Sequence, residues 1–264
     1  MKKEKNNIIL ETRNLSIGYR DKKKDHVVQS EIELKINRGE LVAVLGKNGI
    51  GKSTLLRTLT KVQSPLEGQV LIDGKELKIS NLSELSKKLS VVLTERLPDS
   101  QLTVFELVAL GRQPYTNWIG KLTQEDIDQV NWSLEQTETS EFASKHFYEL
   151  SDGQLQRVMI ARAMAQDTDI IILDEPTAHL DMHHTIKIFE LLKKLAVESG
   201  KAVVLSSHQV NLAIKYAEQL ILMTEKEVLS GTSSDLIRSK SLDKLFPTEI
   251  IKFNTDLEQF VINK

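Results

Sequence analysis

Residues 41–54 read LVAVLGKNGIGKST, and this stretch decides the fold. Leu41–Leu45 is short, continuous and apolar, which predicts a buried strand of a parallel sheet. Gly46–Thr54 fits the pattern G-x-x-x-x-G-K-[ST], and the overlapping stretch Lys52–Thr60 predicts a helix. In such a loop the backbone N–H groups turn around an anion, and the helix N-terminus adds a positive dipole end. The stretch therefore predicts an α/β domain with a phosphate-binding loop.

The loop predicts ATP as the ligand, bound together with Mg²⁺. We expect the ammonium group of Lys52 to reach the β- and γ-phosphates and the hydroxyl of Ser53 to bind Mg²⁺. The alternative is a glycine turn that matches the pattern by chance, and the strand before it and the helix after it argue against this. The candidate ATP-binding residues of the loop are Gly46, Lys47, Asn48, Gly49, Ile50, Gly51, Lys52, Ser53 and Thr54.

Two carboxylates follow a second apolar strand, Ile170–Leu173. They stand at the C-terminal end of that strand, where α/β sheets bind their ligands. We expect Asp174 to hold Mg²⁺ through water and Glu175 to act as the general base on the attacking water. A solvated strand end is the alternative, and it is disfavoured because the phosphate loop is also present.

Strands and helices alternate along most of the chain, which predicts a largely parallel sheet with helices on both faces. Residues 7–19 and 27–36 predict two strands of an N-terminal antiparallel β subdomain, with Arg20–Asp25 as the solvated tip between them. A helical block interrupts the alternation and predicts an inserted lobe. The predicted divisions are a core at about 8–95 and 166–245, a helical lobe at about 96–165, and a tail at 246–264.

Three further elements are predicted towards the C-terminus. Their patterns are helical for Val210–Gln219 and for residues 233–246, and strand-like for Glu249–Ile262.

The composition limits the possible functions. The chain has 264 residues, no cysteine and a net charge of −2, which excludes a disulfide framework and thiolate metal sites and disfavours nucleic acid as a partner. No stretch approaches the roughly 20 apolar residues that span a bilayer. We therefore expect any membrane role to depend on a partner.

Leu150–Arg157, read as LSDGQLQR, resembles the LSGGQ signature of ABC ATPases. In that family the segment binds the γ-phosphate of a nucleotide held by the opposite subunit, so the resemblance implies a homodimer. Asp152 stands where the family usually has glycine, and we expect its carboxylate to point away from phosphate and cap the following helix. A simple serine N-cap on a surface helix is the alternative. The residues that the resemblance assigns to the partner's ATP are Ser151, Asp152, Gly153 and Gln154.

Four other positions match functional positions of ABC ATPases. Asp181 matches the D-loop aspartate, which communicates across the dimer, and His208 matches the switch histidine, which contacts the γ-phosphate and orients Glu175. Tyr19 matches the aromatic residue that stacks on adenine, with a core tyrosine as the alternative. Glu95 stands where the family has a glutamine that binds Mg²⁺, so the resemblance makes it a metal ligand together with Ser53 and Asp174.

His183 and His184 follow the D-loop. Neighbouring residues of a helix point in different directions, so we expect surface or dimer-edge side chains and not a metal site.

The resemblance covers about residues 8–245 and implies the ABC form of the P-loop NTPase fold. Leu102–Tyr115 is similar to a run found in ATPases of iron–siderophore, haem and cobalamin importers. It implies an integral-membrane permease as partner, a substrate-binding protein reached indirectly, and a position at the cytoplasmic face of the inner membrane. Candidate permease contacts are Leu97, Leu102, Tyr115 and Trp118, with ordinary core packing as the alternative. Two other readings remain, an exporter subunit and a non-transport ABC ATPase.

Overall fold

The computed structural model of the protein describes residues 7–21, 24–76, 82–93, 100–178, 180–246 and 250–263. Within these residues, six strands form the central sheet. The strands are β4 Leu41–Leu45, β7 Leu89–Val92, β8 Ile170–Leu173, β9 Ala202–Ser206, β10 Gln219–Met223 and β11 Val228–Gly231. Their order is β11-β10-β4-β9-β8-β7, and only β11 runs antiparallel to its neighbour. The predicted parallel α/β sheet is therefore confirmed.

Both faces of this sheet are buried, which explains its continuous apolar strands. In β4, Leu41, Ala43 and Leu45 belong to a hydrophobic cluster on one face. Val42 and Val44 alternate with them and belong to the cluster on the opposite face.

An antiparallel sheet covers the second face. Its strands are β1 Ile8–Tyr19, β2 His26–Ile32, β3 Lys35–Asn37, β5 Glu67–Ile72 and β6 Lys75–Glu76, with β2, β3 and β5 all paired to β1. The single strand predicted at 27–36 is divided into β2 and β3. The break falls at Glu33 and Leu34, where Oγ1 of Thr12 donates to the carbonyl of Ile32 and accepts from the N–H of Leu34.

Five helices flank the central sheet: α1 Lys52–Leu59, α2 Leu82–Ser86, α6 Met182–Ser199, α7 Val210–Tyr216 and α8 Ser233–Arg238. Two predicted helices were too long. The helix after β9 ends at Tyr216, and Gln219 already belongs to β10. The helix predicted at 233–246 stops at Arg238, because Lys240 takes a left-handed φ of 54° before a short 3₁₀ turn at Ser241–Leu245.

Three helices, α3 Val104–Ala109, α4 Gln124–Gln136 and α5 Asp152–Ala165, form a lobe with its own core. Thr103 and Thr123 begin α3 and α4 with capping boxes. A buried ion pair joins α4 to the 3₁₀ turn after α3, because Nε of Arg112 donates to Oδ1 of Asp126 at 2.9 Å. The guanidinium also donates to the carbonyl of Ala165 at the end of α5.

The chain ends in a two-stranded hairpin, β12 Ile251–Asn254 and β13 Gln259–Ile262. The one strand-like stretch predicted at Glu249–Ile262 is therefore wrong as a single strand, because residues 255–258 turn between the two. Glu249 lies outside the described residues. None of the helices within the described residues has both the length and the hydrophobicity of a membrane span.

Candidate nucleotide-binding site

The phosphate loop connects β4 to α1, and its glycines are required by close contacts. A Cβ on Gly46 would lie 2.7 Å from the carbonyl oxygen of Met223 on the neighbouring strand. Gly51 begins α1 with a left-handed φ of 109°, and a Cβ there would lie 2.5 Å from Cγ1 of Val28. Both positions therefore exclude larger residues for steric reasons.

Lys52 lies beneath the loop and is only 5% exposed. Its Nζ donates to the carbonyls of Gly46 at 3.0 Å and Lys47 at 3.3 Å. Burial lowers the pKa of Lys52, and the negative charges of Glu175 and Asp174 partly oppose this shift. The ammonium group is thus held where the loop curves, near two carboxylates.

Tyr19 ends β1 beside the loop and is 52% exposed. Its hydroxyl group is hydrogen bonded to Oγ1 of Thr54 at 2.9 Å. The aromatic ring is therefore fixed to the first turn of α1 while much of it remains open to solvent. This arrangement leaves ring surface for a flat ligand group.

A cavity of about 340 Å³ lies above these residues. It is lined by Tyr19, Asn48, Gly49, Gly51, Lys52, Ser53, Thr54, Glu175 and His208. Lys47 and Ile50, also predicted to bind ATP, instead line a separate hollow of about 440 Å³ with Met223 and Glu225. Lys47 is paired there with Glu225, with Nζ and Oε1 3.4 Å apart. Gly46 borders neither cavity.

Asp174 and Glu175 follow β8 and are both bound to Ser206 at the end of β9. The Ser206 hydroxyl donates to Oδ1 of Asp174 at 2.7 Å and accepts from the backbone N–H of Glu175 at 2.8 Å. Asp174 is 3% exposed, so it lies behind the cavity wall formed by Glu175. Ser206 has no predicted role; the signal for it in the sequence is a hydroxyl at the C-terminal end of a predicted strand, the end at which α/β sheets bind ligands.

His208 lies across from β8 and contacts its acidic end. Its Nε2 is 2.6 Å from Oε1 of Glu175, and the carboxylate oxygen accepts this hydrogen bond. Glu175 adopts a left-handed φ of 49°, which is uncommon for a residue with a side chain. The cavity therefore has a carboxylate and an imidazole facing the buried Lys52.

Ser151 is the N-cap of α5 and forms a capping box with Gln154. Oγ of Ser151 accepts a hydrogen bond from the N–H of Gln154 at 3.4 Å. In return, Oε1 of Gln154 accepts one from the N–H of Ser151 at 3.0 Å. The expectation that Asp152 caps this helix is wrong, since Asp152 is the first helical residue and is exposed. A Cβ on Gly153 would lie 3.2 Å from Cδ2 of Leu180. None of these four signature residues lines the cavity beside the phosphate loop.

Asp181 begins α6 and binds His184 through both carboxylate oxygens. The backbone N–H and Nδ1 of His184 each lie 2.9 Å from it, and these bonds lower the pKa of Asp181. The rings of His183 and His184 meet edge to face at 5.6 Å. His183 is exposed and His184 is half-buried, as expected for surface side chains. Glu95, Leu97 and His179 lie outside the described residues.

Comparisons with known proteins agree on one family. A model of that family, ABC transporter, matches residues 29–178. The probable siderophore transport system ATP-binding protein YusV of Bacillus subtilis is 37% identical over 238 residues, which cover 90% of this chain and 85% of that protein. An uncharacterized ABC transporter ATP-binding protein of Methanocaldococcus jannaschii, MJ0873, is 39% identical, covering 90% and 81%. The dimeric post-hydrolysis structure of the cassette MJ0796 with ADP and Pi has a TM-score of 0.75 and 31% identity, covering 85% and 98%.

Proposed function

This chain belongs to the ABC transporter family and hydrolyses ATP, and we propose that it powers a membrane importer of iron–siderophore complexes. One observation supports ATP hydrolysis at this site. Glu175 and His208 are hydrogen bonded to each other and line the same cavity as Lys52 of the phosphate loop. The cargo class follows from similarity to the siderophore transport protein of B. subtilis.

The cavity explains how ATP would be held. Lys52 and the N-terminus of α1 offer positive charge to the phosphates, and the exposed ring of Tyr19 offers a stacking surface to the base. Burial disfavours the charged form of Lys52, so a phosphate beside it would offset this electrostatic cost. Asn48, Gly49 and Thr54 complete the wall that faces the nucleotide.

The oxygen donors beside the loop fit Mg²⁺. Ser53 lines the cavity. Asp174, at the end of β8, lies behind the wall formed by Glu175, where a water molecule would bridge it to the metal. The proposed third ligand, Glu95, lies outside the described residues. Hydroxyl, carboxylate and phosphate oxygens are the ligands that Mg²⁺ prefers. When bound, Mg²⁺ neutralises negative charge on the phosphate oxygens.

Glu175 is positioned to accept a proton from a water molecule at the γ-phosphate. The N–H of His208 donates to Glu175, which orients the carboxylate, and the imidazole faces the cavity. The backbone of Glu175 is held through Ser206 to the buried Asp174. These contacts fix the proposed base relative to the phosphate loop.

A second copy would supply the signature residues. Ser151 and Asp152 are exposed, and both lie outside the cavity of their own chain. Ser151 stands at the N-terminus of a 14-residue helix, where a hydroxyl and the helix dipole favour an anion. Leu180 lies beside Gly153, since a Cβ there would be 3.2 Å from its Cδ2, so Asp181 would approach the same dimer interface.

The membrane partner would bind the helical lobe. Ser100, Gln101, Phe147 and Tyr148 line a hollow of about 340 Å³ beside the start of α3. Leu102 packs partly into the core of the lobe, whereas Tyr115 lies against Arg112 at the far end of the α3 segment, 4.1 Å from ring centre to guanidinium. This hollow suits a short amphipathic helix of a permease, and the ATPase would sit at the cytoplasmic membrane face, reaching a substrate-binding protein only through that permease.

Reconstitution tests the proposal. The chain is combined with its membrane partner in vesicles, and ATP hydrolysis is measured with ferric siderophores, haem or cobalamin presented by a binding protein. Stimulation by ferric siderophores alone is expected. Stimulation by a solute on the ATPase side, followed by its outward movement, would instead identify an exporter.

A separate experiment tests the shared site. An isolated subunit that stays monomeric with Mg-ATP should hydrolyse it far more slowly than the assembly. Equal rates would contradict the proposed dimer.

A further inference from the structure

Asn211, on α7, is bound to the C-terminal hairpin by two hydrogen bonds. Its Oδ1 accepts from the backbone N–H of Phe260 at 2.8 Å, and its Nδ2 donates to the carbonyl of the same residue at 3.3 Å. A side-chain amide that pairs with both backbone groups of one residue imitates a neighbouring strand. The hairpin and α7 are thus joined at a defined point.

The hairpin is itself fixed to the core. The ring of Phe260 lies 5.0 Å from that of Phe246 and 5.2 Å from that of Phe253, with both pairs near perpendicular. All three rings pack against the main hydrophobic cluster. Because aromatic burial provides most of the contact energy of such a small element, β13 offers α7 a rigid support.

Helix α7 needs this support. It has only seven residues, and its N-cap Gln209 makes no side-chain cap bond. Helices this short are marginal in water without tertiary contacts. Ala213 and Ile214 bury one side of α7, while Asn211 binds the hairpin from an exposed position.

The residues before α7 include His208. The carbonyl of His208 accepts from the N–H of Val210 at 3.0 Å, and Oγ of Ser207 accepts from the N–H of Gln209 at 3.0 Å. A shift of the first turn of α7 would therefore also move the imidazole of His208. Asn211 lies in that turn, three residues after His208.

We propose that Asn211 is a positioning residue for ATP hydrolysis, through which the C-terminal hairpin holds α7 so that His208 keeps its hydrogen bond to Glu175. The inference rests on the proposed role of His208. It gives the hairpin, which carries no sequence motif, a function at a site formed by other parts of the chain.

Steady-state hydrolysis by the full chain in its dimeric assembly tests the inference. Asn211→Ala should lower kcat by about three- to tenfold with KM for ATP unchanged, because the nucleotide still binds but the reacting groups are misplaced. Lys215→Ala, an exposed position one turn along the same helix, is the matched control and should keep wild-type kcat. An unchanged kcat in Asn211→Ala, with a wild-type melting temperature, would overturn the inference.

A second variant, placed in the hairpin, tests the same contact between Asn211 and Phe260. Oδ1 of Asn254 accepts from the N–H groups of Asp256 and Leu257, so Asn254→Ala should loosen the turn and lower kcat in the same direction. The double variant should be no slower than Asn211→Ala alone, whereas multiplied losses would contradict a shared pathway.

His208→Ala distinguishes failure of the proposed role of His208 from failure of the proposed role of Asn211. Normal turnover there removes the proposed role of His208, while loss there without loss in Asn211→Ala removes only the role of Asn211.

Discussion

Nε2 of His208 lies 2.6 Å from Oε1 of Glu175, so the ends of two parallel strands are joined directly at the phosphate cavity. β8 carries the carboxylate and β9 leads to the imidazole. Neither residue is buried, with side-chain exposures of 29% for Glu175 and 42% for His208, so both remain accessible to substrate and water. The pair couples the proposed base to the loop that enters α7.

Glu175→Gln should lower kcat by about a hundredfold or more, because an amide cannot accept the proton of the attacking water. ATP should still bind, since Lys52 and the phosphate loop are unchanged. Phosphate release and a nucleotide-binding titration measure the two effects. Glu198→Gln, at an exposed position on α6, is the control. Near-normal turnover in Glu175→Gln would assign the base elsewhere.

Asp126→Asn should destabilise the protein by about 3 kcal/mol at neutral pH, because it leaves the buried guanidinium of Arg112 without a counter-charge. Chemical unfolding followed by circular dichroism measures this. Asp128→Asn on the exposed side of the same helix should cost much less. Equal losses of unfolding free energy in the two variants would show that the buried ion pair stabilises the protein no more than an exposed carboxylate does.

The contribution of Asp126 should also depend on pH. Burial alone would raise the pKa of this carboxyl, but hydrogen bonds from Thr123 and the pairing with Arg112 outweigh burial and lower it. A lowered pKa in the folded state means that the stabilisation is complete above the ordinary value of 3.8 and is lost as pH falls through the folded pKa. The difference between wild type and Asp126→Asn should therefore shrink in acid. A difference that grows in acid would contradict this sign.

Introduced cysteines should detect the shared site, since the native chain has none. Asn48→Cys on one subunit and Asp152→Cys on the other should form a disulfide when ATP is bound, with Glu175→Gln included to slow hydrolysis. Non-reducing electrophoresis measures the cross-link. Asn48→Cys combined with Lys215→Cys is the control and should not respond to ATP. Cross-linking independent of nucleotide would contradict closure driven by ATP.

Glu95→Gln should leave ATPase activity substantially intact while changing its Mg²⁺ dependence, because an amide oxygen also binds Mg²⁺ without adding a negative charge beside ATP. Hydrolysis measured across a Mg²⁺ titration checks this. Glu84→Gln, exposed on α2, is the control. A collapse of activity would show that the carboxylate itself is needed.

The sequence predicts the central sheet well because hydrophobic periodicity reports burial directly. Leu41–Leu45 and Ile170–Leu173 are strands at the predicted positions, since both faces of the sheet are covered. Interruptions were harder to predict. The break between β2 and β3 falls where Thr12, a distant residue, bonds to Ile32 and Leu34, and Lys240 adopts left-handed backbone without being glycine. No local pattern marks either position.

Contacts between distant parts of the chain were also missed. The link from Ser206 to Asp174 joins residues 32 positions apart, and the link from Asn211 to Phe260 spans 49. Periodicity describes which face of an element is buried, but it does not identify the partner that a polar side chain will meet. The C-terminal hairpin depends on three phenylalanines whose meeting is visible only in the folded chain.

The hydrogen bond between Tyr19 and Thr54 fixes the distance between the aromatic ring and the first turn of α1. The ring of Tyr19, the proposed platform for the base, is hydrogen bonded to the first turn of α1, so we expect the protein to set the distance between the base and the phosphates. A diphosphate and a triphosphate would therefore seat their bases identically and differ only at the far end, beside Glu175 and His208. We therefore expect the protein to discriminate between substrate and product at the end of the cavity where the proposed reaction takes place.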